Sequence, residues 1–450
     1  MNISNRAEPL LLFAGDFLLF FFSLWVTLVI RYGELPDRVV LVQHLWPFAI
    51  FFVLWTTVFF IAGLYEHHTL LLQKRLPRLL FNALIAEGIL AVLFFYFIPN
   101  LVIAPKVNLF IFLFVSFSLI FLWRWYSHIF FGISEKQNAI MVGSGEEMQE
   151  LEKEINHNSR YPLKFVLSVD VNRLSGMDIE AEIMRHVYAE NISLAVIDFK
   201  SDKVDPLLPH LYSLLFSRVS FVDMYKLYES IFGRIPLSLV QYHWFLEHVS
   251  ASSRRSYDIL KRMMDIVIAL PLLLVPILAY PFVLLGVKSE DGGPVFGVQR
   301  RVGKNNQLIR LLKFRTMAFN DDGDWKGLGQ KNKVTRVGAF LRRIRLDEFP
   351  QLWNVLKGDL SLIGPRPEFP EPVGHYVKEI PYYNIRHLIT PGLSGWAQIY
   401  HENHPHHKTD FSETKIKLSY DLYYIKNRSF FLDLKIALKT IKILLSRSGV

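Results

Sequence analysis

Residues 264–287 read MDIVIALPLLLVPILAYPFVLLGV. The run is long enough to cross a bilayer as a helix, which takes about 20 apolar residues. It carries prolines at 271, 276 and 281. Pro276 falls in the middle, where its ring removes a backbone donor and clashes with the preceding turn. Lys261 and Arg262 precede the run, and Lys288, Arg300 and Arg301 follow it. Cations on both sides favour a cytoplasmic position for both ends. The segment is therefore predicted to enter the membrane, break near Pro276 and return, tying the residues after it to the inner face. A kinked spanning helix is the competing reading.

Upstream, four apolar stretches at 10–30, 45–65, 79–98 and 107–125 each match the length of a transmembrane helix. The first lacks the short apolar core and small-residue cleavage site of a signal peptide. Lys74, Arg75 and Arg78 in the second loop, against Lys106 alone in the third, place the N-terminus, the second loop and everything after Tyr126 in the cytoplasm. Arg31 and Arg38 in the first loop weigh against this.

Residues 138–250 change character. Asn138–Val142, Phe165–Val171, Ser193–Phe199 and Val219–Asp223 read as strands alternating with helical segments, the pattern of a parallel α/β sheet. Gly143-Ser144-Gly145 follows the first strand, but Met148 stands where a dinucleotide fingerprint wants its third glycine. Asp170 lies where a ribose-binding acid could sit. A structural or regulatory Rossmann-like module is the better reading. Residues 251–256 read as a linker.

The charge is uneven. Residues 1–253 hold 19 Lys and Arg against 23 Asp and Glu, whereas 254–450 hold 31 against 18. A basic final domain on a membrane protein suits anionic headgroups, phosphorylated substrates or nucleic acid. The absence of cysteine excludes disulfides, thiolate metal sites and a cysteine nucleophile. At the end of the chain, Leu434, Leu438, Ile441 and Leu445 share one helical face and Lys435, Lys439 and Lys442 another. That pattern fits an interfacial helix or a surface helix packed on the domain.

The densest polar cluster lies in Thr335–Glu368. Gly338–Leu346 reads as a helix bearing Arg342, Arg343 and Arg345, and Pro350 reads as the first residue of another helix, stopped by Gly358. Asp347 and Glu348 then sit at a break, near a helix N-terminus that favours negative charge. A carboxylate there can attack phosphorus and form an acyl phosphate. Arginines can stabilise the transferring group, and a second carboxylate can hold Mg2+. Arg343 and Asp347 as an ordinary i,i+4 ion pair is the competing account. Lys313 and Arg315 follow the run Leu308–Leu312, and Gly364-Pro365-Arg366-Pro367-Glu368 restricts an arginine between two prolines. An arginine so held suits a bidentate phosphate contact.

These residues fall into an ordered series of motifs: Lys261-Arg262-x-x-Asp265, Gly293-Pro294-Val295-Phe296 with Gln299, Lys313-Phe314-Arg315-Thr316-Met317, Leu346-Asp347-Glu348-x-Pro350-Gln351-Leu352, Gly358-Asp359-Leu360-Ser361, Gly364-Pro365-Arg366-Pro367, Thr390-Pro391-Gly392-Leu393-x-Gly395-Trp396 and Tyr420-Asp421-Leu422-Tyr423-Tyr424. The series resembles the bacterial sugar transferases, the polyprenyl-phosphate hexose-1-phosphate transferases. The resemblance implies that Asp347 attacks the β-phosphorus of a UDP-hexose and expels UMP. It further implies that Glu348, with Asp347, serves Mg2+, and that the sugar-phosphate passes to undecaprenyl phosphate. Lys313, Arg315, Arg342, Arg366 and Gln351 match positions at the phosphate site, and Pro276 matches the helix-break proline. Val275 stands where the family often has Ser, and His401 where it commonly has Gly after Gln-Ile-Tyr. The implied partners are UDP-hexose, undecaprenyl phosphate and membrane lipids, without nucleic acid, and a homo-oligomer is left open.

The predicted architecture is a multi-domain protein of the inner membrane. It has a four-helix transmembrane bundle (1–130), a Rossmann-like α/β module (135–250) and a mainly helical catalytic domain (257–450) with the re-entrant helix 264–287. The catalytic domain faces the cytoplasm. Two other functions compete. A nucleotide-sugar oxidoreductase or dehydratase on 138–250 needs a full glycine fingerprint and a Tyr-Lys pair in that module, and both are missing. Tyr257-x-x-x-Lys261 mimics such a pair outside it. A membrane scaffold for glycan assembly explains the apolar spans but not the acid–base–proline cluster. His401, His404, His406 and His407 match no familiar zinc spacing.

Overall fold

The computed structural model describes the chain except residues 1–6, 63, 66–75, 98–104, 131–135, 159–160, 162, 174–184, 187–188, 213–218, 250–254, 319–333, 401–409 and 447–450. The His401–His407 cluster and the Lys74–Arg75 loop lie outside the described residues. The chain divides into two compact units, Met1–Leu227 and Tyr228–Val450.

In the first unit the four apolar stretches form helices Ala7–Tyr32, Arg38–Ala62, Leu76–Phe97 and Pro105–Phe130. Leu11–Tyr32 and Val107–Arg124 are long and apolar enough to cross a membrane. Within the described residues the second and third supply only the shorter apolar helices Phe51–Ala62 and Leu80–Ala91. Their shared core is aromatic, built on Phe20, Phe48, Phe51, Phe52, Trp55 and Phe112. The apolar pattern did not reveal that Asp16 and Arg124 form an ion pair there with both side chains fully buried, while the Arg124 guanidinium also donates to the Leu64 carbonyl at 2.7 Å. An apolar interior makes an unpaired charge costly, so each ion holds the other in place.

Strands β1 (Gln137–Gly143), β2 (Leu163–Asp170), β3 (Leu194–Ile197) and β4 (Ser220–Asp223) form an all-parallel sheet in the order β2-β1-β3-β4. Ligands of such sheets bind at the carboxyl ends of the strands. Here that edge is acidic. Glu146 and Glu147 occupy the first turn of helix Glu146–His157, and burial raises the Asp198 carboxyl, with Asp223 and Glu147 adding to the rise. Met148 is buried in the third-glycine position. Negative charge where a pyrophosphate would lie opposes the dinucleotide reading.

In the second unit the proline-containing run forms helices Arg255–Leu272 and Leu274–Glu290, interrupted at Leu273. Pro276 has no N–H to offer the Leu272 carbonyl four residues back, and its ring crowds that turn. The Leu273 amide still reaches the Ala269 carbonyl at 2.9 Å, and the ladder resumes from Ile277 to Leu273 at 3.4 Å. Pro271 and Pro281 sit inside the two helices without breaking them. Met263, Val267, Leu270, Leu274, Ile277, Leu278, Phe282 and Leu285 are exposed on these helices. Water-facing aliphatic side chains in such density forfeit about 1.5–3 kcal/mol each, which marks a lipid-facing surface.

Both flanks of the broken helix are fastened to the same unit. At the start, Lys261 pairs with Asp433 at 2.8 Å and Tyr257 donates to it at 2.7 Å. The Tyr-Lys pair is thus tied to the helix Phe430–Ser446. Arg262 donates to the Val355 and Leu356 carbonyls at 2.5 and 2.6 Å, and Asp265 accepts from the Leu362 amide at 3.0 Å. At the end, Glu290 accepts from the amides of Arg336 and Val337 at 2.6 and 3.0 Å, capping helix Arg336–Arg343. The C-terminal helix buries Ile436, and Lys435 and Lys439 lie over the rings of Trp396 and Tyr400. Those two lysines pack on the domain.

Strands β5 (Phe296–Val302) and β6 (Leu308–Phe314) form an antiparallel hairpin, and β7 (Ser361–Ile363) pairs in parallel with β8 (Gly392–Ser394). A Cβ on Gly338 would lie 2.1 Å from the Thr316 carbonyl oxygen. Only glycine lets the helix bearing Arg342 approach the end of β6 so closely. Residues after Tyr228 pack on this unit: Lys426 pairs with Glu229 at 2.5 Å, and the Ile235 amide donates to the Ser419 carbonyl at 3.1 Å.

Candidate active site

Asp347 and Glu348 lie in the first turn of a short 3-10 helix, Leu346–Gln351, which runs into helix Leu352–Lys357. The expected arrangement, a helix to Leu346 and a new one from Pro350, is corrected here. Helix Arg336–Arg343 ends earlier, and Arg345 takes a left-handed conformation (φ 58°) that turns the chain into the 3-10 segment. Six residues of 3-10 helix followed by six of α-helix make a weak dipole. Positive charge at the site comes instead from side chains. Gly358 stops the second helix in the left-handed region, as read from the sequence.

Those side chains arrive from distant elements. Lys313, near the end of β6, sets its ammonium 3.0 Å from Glu348 Oε1. Arg366 sets its guanidinium 2.7 Å from the same oxygen. The strand is tied to the dyad's helix by Asn354, which accepts from the Leu312 amide at 3.0 Å and donates to the Arg310 carbonyl at 2.7 Å. Arg342 donates from Nε to the Thr316 hydroxyl at 3.0 Å.

The two adjacent acids are consequently unlike. Burial by itself would raise Glu348, but Arg366 and Lys313 outweigh it and hold the carboxyl well below the usual range. Burial raises Asp347, and the neighbouring Glu348 charge adds to it. Lys313, Arg342 and Arg345 act in the opposite sense. Asp347 is 8% exposed, and among the described residues its carboxylate makes no hydrogen bond or ion pair. Burial lowers Lys313, and Glu348 opposes that shift. Neighbouring acids pushed in opposite directions have different chemical tasks available to them. Glu348 is spent on two cations, whereas Asp347 keeps its basicity and its lone pairs.

Of the other expected site residues, Gln351 is buried at the end of the same turn. Arg315 is committed to an ion pair with Asp291. Pro276 is buried in the apolar helix, away in sequence from the carboxylates. Arg343 is not joined to Asp347 by a hydrogen bond or ion pair among the described residues, so the i,i+4 pair does not form. Sequence reasoning assigned no role to Asn354, Arg386 or Lys417. None carries a local signal, since each acts through residues far along the chain.

For a metal, no group of three or more acidic or histidine side chains gathers among the described residues. Both cations meet Glu348 at Oε1, so a Mg2+ ion would be held through Asp347 and the other Glu348 oxygen, its shell completed by water and substrate phosphates.

A family model described as bacterial sugar transferase matches residues 256–447, the part that carries this site. The chain is 38% identical over 197 residues to the UDP-glucose:undecaprenyl-phosphate glucose-1-phosphate transferase of Caulobacter vibrioides, covering 43% of this chain and 72% of that protein. The chain belongs to the bacterial sugar transferase family. Identity to the UDP-N-acetylgalactosamine-undecaprenyl-phosphate N-acetylgalactosaminephosphotransferase of Aeromonas hydrophila is 46% over 198 residues. That match spans 43% of this chain and 45% of the relative, less than half of the relative's own length. The UDP-galactose-lipid carrier transferase of Erwinia amylovora is 26% identical over 343 residues, 70% of this chain and 69% of that protein. Within this family member, the Asp347–Glu348 pair and its cations all fall inside the matched region.

Proposed function

We propose that the chain transfers a sugar-1-phosphate from a UDP-sugar to undecaprenyl phosphate, as the names of its relatives say of them, and that it releases UMP. The observation that carries this reading is the separation of the two acids: Asp347 raised and without a hydrogen bond or ion pair among the described residues, Glu348 held low by Arg366 and Lys313. An Asp347 oxygen attacks the β-phosphorus, and the bond to the bridging oxygen breaks. UMP departs with that oxygen, leaving an aspartyl-phosphosugar. An oxygen of undecaprenyl phosphate then attacks the same phosphorus and frees the carboxylate. Lys313 and Arg366 lie where charge on the transferring group would be met, and Arg342 flanks them. A Mg2+ ion held by Asp347 and Glu348 would neutralise diphosphate charge.

The relatives name N-acetylgalactosamine, glucose and galactose, so the sugar is to be found by a panel of UDP-sugars. Membranes containing the chain should release UMP from at least one UDP-sugar, about one equivalent without undecaprenyl phosphate and repeated turnover only when it is present. Excess chelator should suppress release and added Mg2+ restore it. No release with any donor would reject the reading, and full activity under chelation would remove the metal role from Glu348.

We further infer that residues 264–287 are re-entrant, that the four apolar helices of the first unit span the membrane, and that the catalytic unit lies on the cytoplasmic face of the inner membrane. Support comes from the fastening of both flanks to one unit through Lys261, Arg262 and Asp265 at one end and Glu290 at the other. A spanning helix would have to place those ends on opposite sides. The chain has no native cysteine, so single cysteines at Ser256 and Ser289 should both react with an impermeant maleimide in inside-out vesicles and in neither case from outside. Labelling of Ser289→Cys from the periplasmic side alone would reject the re-entrant form.

A further inference from the structure

The Pro365-Arg366-Pro367 run has few ways to hold itself. Both prolines lack an N–H, so the segment is fixed mainly through its carbonyls and neighbours. Gly392 donates to the Pro365 carbonyl at 2.9 Å, and Val302 donates to the Glu368 carbonyl at 2.9 Å. Between these backbone ties, the carbonyl of Arg366 is held by a side chain. It accepts from the Arg386 guanidinium at 3.0 Å.

Arg386 is itself held on several sides. One terminal nitrogen lies 2.8 Å from Glu368 Oε1 and donates to the Tyr383 hydroxyl at 2.7 Å. The other, which donates to Arg366, lies 2.8 Å from Asp421 Oδ2. Lys417 and the Tyr383 hydroxyl complete the Glu368 carboxylate. Arg386 is 3% exposed and Asp421 1%. Two acids and two bases cancel in formal charge. Burial by itself would raise Glu368, but Arg386 and Lys417 hold it well below the usual range. Burial raises the Asp421 carboxyl and lowers Lys417, and in each case the Arg386 or Glu368 partner pulls the other way.

Buried ion networks contribute little net stability compared with apolar packing of the same volume. Their distinctive property is direction: a planar guanidinium fixes several partners at once, which an ammonium cannot do. Here one of the partners is the backbone of the arginine that meets Glu348 at the active site.

We infer that Arg386 is a positioning residue, whose buried ion network sets the backbone of Arg366 and so aims the Arg366 guanidinium at the Asp347–Glu348 site. The inference rests on the functional reading above. Arg386 acts at one remove, through the Arg366 carbonyl, and touches no reacting atom.

The test is a double-mutant cycle on the full chain in detergent, read as kcat/KM for UMP release. Arg386→Lys keeps the charge and loses the fork. It should lower kcat/KM about 30-fold while the unfolding midpoint moves by only a few degrees. In an Arg366→Ala background the same change should cost less than about threefold, because the group being aimed is gone. Asp421→Asn, which releases the nitrogen that donates to Arg366, should show the same dependence on Arg366, with a larger fall in melting temperature of about 6–20 °C because it breaks a fully buried pair. Equal losses from Arg386→Lys with and without Arg366 would overturn the inference and leave the network a purely structural part. So would failure of both Arg386→Lys and Asp421→Asn to fold. A wild-type kcat/KM for Arg366→Ala alone would instead reject the site reading on which the inference stands.

Discussion

Asp347→Asn is expected to reduce UMP release by on the order of 10⁴-fold or more, with the protein still folded, since loss of a nucleophile removes the chemical step itself. The substitution is nearly isosteric, at a position 8% exposed. It removes a carboxyl that burial and the Glu348 charge already make costly to ionise. The sign follows from linkage. A group whose pKa is raised on folding binds more protons in the native state than in the unfolded one, so it withdraws stability as pH rises through the interval between the two values. Asn lacks that cost and should melt at the wild-type temperature or slightly above it at neutral pH. Two measurements decide the matter, a melting curve and a UMP assay on one preparation. Undiminished turnover in a folded Asn variant would end the nucleophile assignment.

Glu348→Gln should damage both activity and stability. The substitution removes the charge that Lys313 and Arg366 share at 3.0 and 2.7 Å, leaving two cations to repel each other at the site. Breaking a fully buried ion pair costs about 3–5 kcal/mol. Glu348 and Arg366 side chains are 23% and 36% exposed, so solvent screening reduces the expected loss to about 1–3 kcal/mol. For a unit of this size that corresponds to a fall in melting temperature of about 2–12 °C. With the cations no longer aimed, kcat/KM should fall by about 10²–10³-fold. An unchanged melting curve would show that the pairs do not form in solution. The two variants thus have opposite signatures: Asp347→Asn spares stability and abolishes turnover, whereas Glu348→Gln lowers both.

Much of this site was legible because its signals are local. The apolar run around Pro276 carries its own length, its own prolines and its own flanking cations. The break falls at Leu273 because proline acts on the turn before it, a displacement the sequence rule itself contains. The strands of the α/β module were readable for the same reason, as short apolar runs between turn signals. The 3-10 turn at Leu346–Gln351 was not. Arg345 must adopt φ 58° to enter it, and nothing in its residue type demands that. Asp16 and Arg124 were hidden by the apolar residues around them, since hydropathy averages over the charged pair that crosses the helices.

Sequence by itself determined which groups were available: two adjacent acids, an arginine between prolines, a lysine at the end of an apolar strand and an ordered series of motifs from Lys261 to Tyr424. Those are properties of neighbours along the chain. Tertiary structure decided how the two acids differ. Asp347 and Glu348 are equivalent as neighbouring carboxylates, and they become different only when Lys313 and Arg366 reach one and burial isolates the other. Burial and charge pairing depend on what folding brings within a few ångströms, and here those partners come from 35 and 18 residues away.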